Sequence, residues 1–359
     1  MYSSEADLSS LKDITLLDTC RKLELIADAT YAKLKHILDM RNNIGISHPN
    51  NYNINAFELL GWLHTCVQDV LHDRPSEAAL QVQAFIGNLK KHTEALDAGT
   101  IKTIEQRIGE LPTHLGGNIL RTVFGIFAAP ETDAAVRKNI SLIAPRIWNS
   151  CLDDPKLKLG TVLEGYKANL HTEKYTLGEQ FFDIVGGNAY RSDSERLIIV
   201  NELLLQLKDT HHARDNYHHE TPVARALSSY IPDAAAIIPN IAELLFRTVL
   251  LCRIGNGYNY QNGVSPGAKP YYDHLLALAG DQYAPHVMAS LGHYEIRSNL
   301  GNSTCRRQAK FALEAARTNV INSRLLECMD YLIENIEGNA GCVTDEKFKK
   351  LSTGYITWP

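Results

Sequence analysis

The chain has 359 residues, with 36 Lys and Arg against 41 Asp and Glu, for a net charge of −5. At about 150 residues per domain this length suggests roughly two domains, and a composition of 45% hydrophobic and 21% charged residues excludes a disordered or fibrous chain. The acidic balance excludes a surface that coats polyanions generally, so any nucleic-acid contact must be a local basic feature.

No apolar run approaches the roughly 18–20 residues that span a bilayer, and the longest, 238–252, is interrupted by Asn240, Glu243 and Arg247. The start, MYSSEADLSS, lacks the basic and apolar regions of a secretory leader, so no membrane contact and a cytoplasmic location are expected. The seven cysteines are scattered and contain no C-x-x-C pair, which reads as reduced, mostly buried thiols.

In chain order, apolar residues recur at helical spacing over 11–40, through Leu16, Cys20, Leu23, Ala27, Tyr31, Leu34 and Leu38, and predict one long amphipathic helix. Pro49 and the asparagines after it break the pattern. A second helix starts at Asn55, where Asn at the cap and Glu58 three residues on resemble a capping box, and Phe57, Leu60, His64, Val67 and Leu71 form its stripe. These two elements are expected to form a helical hairpin. Further helical patterns cover 76–96, 99–108, 118–127, 132–151 with a break-prone Pro145, 197–207, 234–252 and 303–338, whereas strand-like alternation is scarce. The class is therefore all-α. Loops are expected at 153–160, 186–194 and 255–269, and the Pro/Gly-bearing stretch 109–117 is the best candidate boundary, dividing the chain into 1–115 and 116–359.

The most informative stretch is Asp39-Met-Arg-Asn-Asn-Ile-Gly-Ile-Ser-His48-Pro49, which sets Arg41 and His48 seven positions apart at a helix end. On a continuing helix the two share a face about 10 Å apart, a gap that admits a phosphodiester. Arg offers a permanently charged planar fork for phosphate oxygens, and His exchanges protons near neutrality. RNA cleavage by the RNA's own 2′-hydroxyl needs that pairing: a base, an acid and a cation for the transition-state charge, and no metal.

Arg41-Asn42 followed after five residues by His48 resembles the R-polar-x(4–6)-H motif of HEPN domains, the all-α domains of toxin, CRISPR-associated and abortive-infection ribonucleases. The resemblance covers about residues 1–75. It implies a HEPN-like N-terminal bundle beside a larger helical C-terminal region, with Arg41 and His48 catalytic and Asn42 and Ser47 contacting or orienting RNA. It further implies an RNA substrate, no cofactor, and a homodimer that brings two histidines together, in an antiviral toxin with an antitoxin or defence-system protein as partner. Some members of that family only bind, which leaves a non-catalytic scaffold or sensor, binding a nucleotide or a protein, as the alternative.

A second cluster, His211-His-Ala-Arg-Asp-Asn-Tyr-His-His-Glu220, holds four of the 14 histidines. On a helix His212, Asp215 and His219 share a face and could ligate a metal for a hydrolase, while Arg214 and His219 could join an RNA-facing surface. The plain reading is a solvated polar turn. The Gly- and Asn-rich loop after Arg253 lacks both P-loop and dinucleotide spacing and reads as a connection.

Overall fold

The computed structural model describes residues 12–22, 26–44, 54–71, 77–111, 113–213, 216–257 and 263–358. Among them are 18 α-helices and no strand, so the protein is all-α. Two compact units divide at Gly186–Gly187, well beyond the expected break after residue 115.

The first unit opens with α1 (Asp13–Lys22) and α2 (Asp28–Ile44), two helices where periodicity predicts one. Asp13 pairs with Arg41, Asp18 accepts from Tyr31 and Arg21 pairs with Asp28, a ladder that only an antiparallel hairpin can make. The same spacing of apolar residues serves one helix or two folded together, so the turn leaves no trace in the period. At α3 (Ala56–His64) the capping box is complete: Asn55 accepts from Phe57 and Glu58, and Glu58 accepts from Asn55. The chain then widens into a π-helical turn, Thr65–Leu71, where Asp69 meets Lys33 of α2 at 2.6 Å. The stripe predicted for this helix faces solvent at Phe57, Leu60 and Val67 rather than a core.

The core of this unit lies further on, in α4 (Glu77–Lys91), α5 (Ala98–Glu110), α6 (Thr113–Ala128), α7 (Ala134–Ser150), α8 (Asp153–Ala168) and α9 (Thr172–Val185). Phe124 of α6 meets Phe181 and Phe182 of α9 edge-on, and Trp148 of α7 closes the cluster against Phe182. Glycines set the spacing: a Cβ at Gly178 would strike Leu163 at 2.6 Å, and one at Gly117 would strike Pro155 at 2.9 Å. Gly117 therefore serves helix packing rather than a linker, which is why the expected boundary at 109–117 lies inside a unit. For the same reason 153–160, expected as a loop, is the start of α8. The buried amide of Asn139 on α7 accepts from the Leu96 N–H and donates to the carbonyls of His92 and Glu94, pinning the α4–α5 connection.

The second unit is organised on α12 (Ala242–Ile254), preceded by α10 (Asp193–His212) and α11 (Asn216–Tyr230). It continues through α13 (Lys269–Ala277), α14 (Gly280–Ser290), α15 (Tyr294–Asn299), α16 (Ser303–Arg317), α17 (Ser323–Asn335) and α18 (Glu346–Leu351). Ten residues of α12 are buried, among them every position from Thr248 to Ile254. That makes the apolar run 238–252 a core helix, and no described helix is long and apolar enough to cross a membrane. The helix expected over 303–338 is broken at 318–322, where Asn322 caps α17 and the Asp281 carboxylate takes the N–H groups of Ile321 and Asn322.

Helices α8 and α9 end in contrasting ways. The α9 terminus uses Gly186 in the left-handed conformation, at φ 66°. After α8, His171 N–H bonds to the Tyr166 carbonyl and Leu170 N–H to that of Lys167, the paired bonds of a Schellman turn, but a leucine at φ 58° holds the left-handed position and is 86% exposed. A branched side chain in that conformation costs about 1–2 kcal/mol, and solvent returns nothing for it. Leu170→Gly should therefore stabilise the protein by about 1 kcal/mol, after the added chain entropy of glycine, as a raised midpoint in urea denaturation; a lowered midpoint would contradict the strain assigned to this turn.

Candidate functional site

Arg41 lies in the last turn of α2, where a cation complements the carbonyl end of the helix. Its side chain is 64% exposed, and its guanidinium donates to the Asp13 carboxylate at 2.6 Å and to the neighbouring Asn42 Oδ1 at 3.2 Å. The Arg41–Asn42 half of the motif is thus one hydrogen-bonded unit at the surface. Ser47 and His48 lie outside the described residues. Asp13 escapes a sequence reading because its partner is 28 positions away, across a turn that periodicity does not mark. An exposed pair of this kind contributes about 0–1 kcal/mol, so Arg41 can exchange Asp13 for another anion at little cost.

The 211–220 cluster is solvated at His212, Ala213 and His219, as expected of a polar turn, but not at its two ends. His211, at the end of α10, and Glu220, on α11, are both buried and pair at 2.9 Å from Nδ1 to Oε1. The hydroxyl of Tyr272 on α13 donates to the other Glu220 oxygen at 2.7 Å. With both oxygens accepting, the carboxylate assigns the imidazole proton to Nδ1. Cys252 of α12 touches the same hydroxyl; burial foremost, then the Glu220 charge, pushes its thiol well above the ordinary range, so it is no thiolate nucleophile. Burial likewise pushes the Cys305 thiol up to about 11. All seven cysteines are free thiols, and five are buried.

Of the residues weighed as metal ligands, only His212 and His219 are among those described. His212 and His219 are exposed, Asp215 and Arg214 lie outside the described residues, and no group of three His, Cys, Asp or Glu side chains is arranged to hold an ion among the described residues. Partial burial, then the adjacent His211, lowers the His212 pKa.

Arg253, which opens the Gly-rich loop, is turned inward: it is almost fully buried, with Nε on Asp273 at 2.5 Å and Nη1 on Gln308 at 2.6 Å. It binds the loop base to α13 and α16 and presents no cation to a ligand. Elsewhere in the first unit a largely apolar cavity of about 700 Å³ opens between α4 and α5, lined by Val82, Phe85, Leu89, Ile104 and Ile108, with Arg107 and His92 among its polar groups. Neither Arg41 nor Asn42 lines it.

The His211–Glu220–Tyr272 network is thus a structural joint of three helices. Glu220→Ala, which strands two buried donors, should cost about 3 kcal/mol or more, and Tyr272→Phe about 1 kcal/mol. Urea denaturation measures both; a Glu220→Ala protein as stable as wild type would show that the network carries no load. No protein-family model, curated protein or solved structure matches the chain.

Proposed function

We propose that the protein is a metal-independent endoribonuclease of the HEPN type, acting in a toxin or phage-defence setting, with Arg41 and His48 as its catalytic residues. The observation that supports this reading is the state of Arg41: an exposed guanidinium at a helix end, oriented by Asn42 and held by one exchangeable ion pair. An RNA phosphate displaces Asp13 and takes the planar fork in its place. The 2′-hydroxyl of the RNA then attacks its own phosphorus. One histidine takes the hydroxyl proton, another protonates the departing 5′-oxygen, and Arg41 stabilises the charge that gathers on the equatorial oxygens. Since each chain supplies one such histidine, the reaction calls for a homodimer with a composite site. The side chains of Phe57, Leu59, Leu60 and Leu63, all exposed on α3, favour association, because apolar groups this concentrated on one short helix mark contact surfaces. An antitoxin or defence-system protein is the further partner this reading implies.

The test is cleavage of a mixed-sequence RNA in EDTA, with products ending in 2′,3′-cyclic phosphate. Arg41→Ala and His48→Ala should each lower the rate by about 100-fold or more while leaving thermal unfolding unchanged; equal rates in all three proteins would refute the site. Asp13→Asn, which removes the anion competing for Arg41, should tighten RNA binding by up to about fivefold in fluorescence anisotropy at low salt. Weaker binding by that variant would mean that Asp13 orders Arg41 rather than screening it.

A further inference from the structure

The second unit carries a polar cleft that the RNA-cleavage reading does not use. It measures about 380 Å³ and lies between α12 and α14, within the size range of small-ligand sites. Glu243 and Arg247 project from one turn of α12 and pair at 3.2 Å. From the opposite wall come His286 on α14 and His293 just beyond its end. Residues 355–357 form the third wall.

Several contacts build this cleft into the fold. The N–H groups of Tyr355 and Ile356 donate to the Ser352 carbonyl at 3.0 and 3.1 Å. Trp358 donates to the Ser352 hydroxyl at 3.0 Å and sets its ring edge-on to Phe348, so the third wall is fastened on both sides of the cleft-lining residues. The His286 ring lies beside that of Tyr283, with centroids 6.1 Å apart and planes 28° from parallel. The Nδ1 of His293 is buried, makes no hydrogen bond, and stands 3.8 Å from Glu295 Oε2, while Lys208 holds the other oxygen of that carboxylate at 2.7 Å. With Nδ1 turned inward, Nε2 is the nitrogen left for the cleft.

One guanidinium and two imidazoles thus converge on a small cavity in which the single carboxylate is already engaged by the guanidinium. Three donors approaching from two helices suit the three oxygens of a phosphate monoester better than the two of a planar carboxylate. Glu243, released from Arg247 when phosphate takes its place, becomes an acceptor for a hydroxyl on the same molecule. We infer that this cleft is a binding site for a small phosphate monoester bearing hydroxyl groups, of phosphosugar size, with Arg247, His286 and His293 on the phosphate and Glu243 on a hydroxyl. The volume admits a molecule of that size and no polynucleotide. The inference stands on the second unit alone and is independent of the RNA-cleavage reading.

Isothermal titration of the full chain with ribose 5-phosphate, inorganic phosphate and ribose tests it. Ribose 5-phosphate should bind saturably and at least about tenfold more tightly than ribose, and Arg247→Gln should weaken it by about tenfold or more. Glu243→Ala, which removes the hydroxyl acceptor, should close the gap in affinity between ribose 5-phosphate and inorganic phosphate. His293→Gln, which leaves the α12 surface intact, provides the second variant should Arg247→Gln fail to fold, and should likewise weaken binding. No saturable binding of either phosphate compound up to about 10 mM, or binding unchanged in both the Arg247 and His293 variants, would overturn the assignment. Inorganic phosphate binding as tightly as ribose 5-phosphate to wild type would overturn the role of Glu243.

Discussion

A helix whose last two turns are buried on every side has to be surrounded, and in the second unit α12 imposes that constraint from Thr248 to Ile254. Leu245, Phe246, Val249 and Leu250 are completely buried, so α10, α13, α14 and α16 pack against it to cover them. Its C-terminal turn carries polar groups into the same interior. Arg253 must be paired there, because an unpaired buried charge costs several kcal/mol, and Asp273 and Gln308 meet that need from two neighbouring helices. Beside it Cys252 adjoins the Tyr272–Glu220–His211 chain, which ties α10, α11 and α13 to the core. At the other end of the helix Glu243 and Arg247 reach the surface and line the cleft. One helix therefore supplies a hydrophobic centre, a polar joint and a cluster of charged groups facing solvent.

The first unit uses a different device. Aromatic rings from α6, α7 and α9 fill its centre; Gly178 lets α9 approach Phe124 of α6 and Leu163 of α8, and Gly117 lets α6 approach Pro155 of α8. Asn139 replaces solvent for the connection between α4 and α5, satisfying three backbone groups from a buried position. The N-terminal hairpin depends instead on exposed polar pairs, Asp13–Arg41 and Arg21–Asp28, with Asp18 accepting from Tyr31. Such pairs are individually weak and exchangeable. That contrast matters for the proposed chemistry: a guanidinium held in a packed core, like that of Arg253, is committed, whereas Arg41 can change partners.

The two arginines also show why residue type alone does not locate a site. Both stand near the C-terminal end of a helix and next to an Asn- or Gly-rich segment. One is solvent-facing with a carboxylate within exchange distance, and the other is enclosed with Nε on Asp273 and Nη1 on Gln308. The histidines divide in the same manner. His211 is sealed against Glu220, His212 and His219 face solvent, and His286 and His293 line a cleft. Of these three arrangements only the last places imidazoles at an open volume.

What the sequence determined by itself is local. The capping box at Asn55, the helices of 98–150, the all-α class, the unpaired cysteines and the identity of 238–252 as something other than a membrane span were legible, because each follows from residues within a few positions of one another or from composition. The turn that separates α1 from α2 was not, since apolar spacing is the same for a long helix and for a hairpin. Gly116 and Gly117 read as a boundary because a glycine that permits close helix packing has the same letter as one that permits a turn, and the Pro155 ring that decides between them is 38 positions beyond Gly117. Tertiary structure alone decided that Asp13 neutralises Arg41, that His211 and Glu220 are buried partners rather than a solvated turn, and that residues 355–357 wall a cleft begun at Glu243. Burial and pairing depend on which distant surfaces meet, and a periodic pattern carries no information about the far side of the contact.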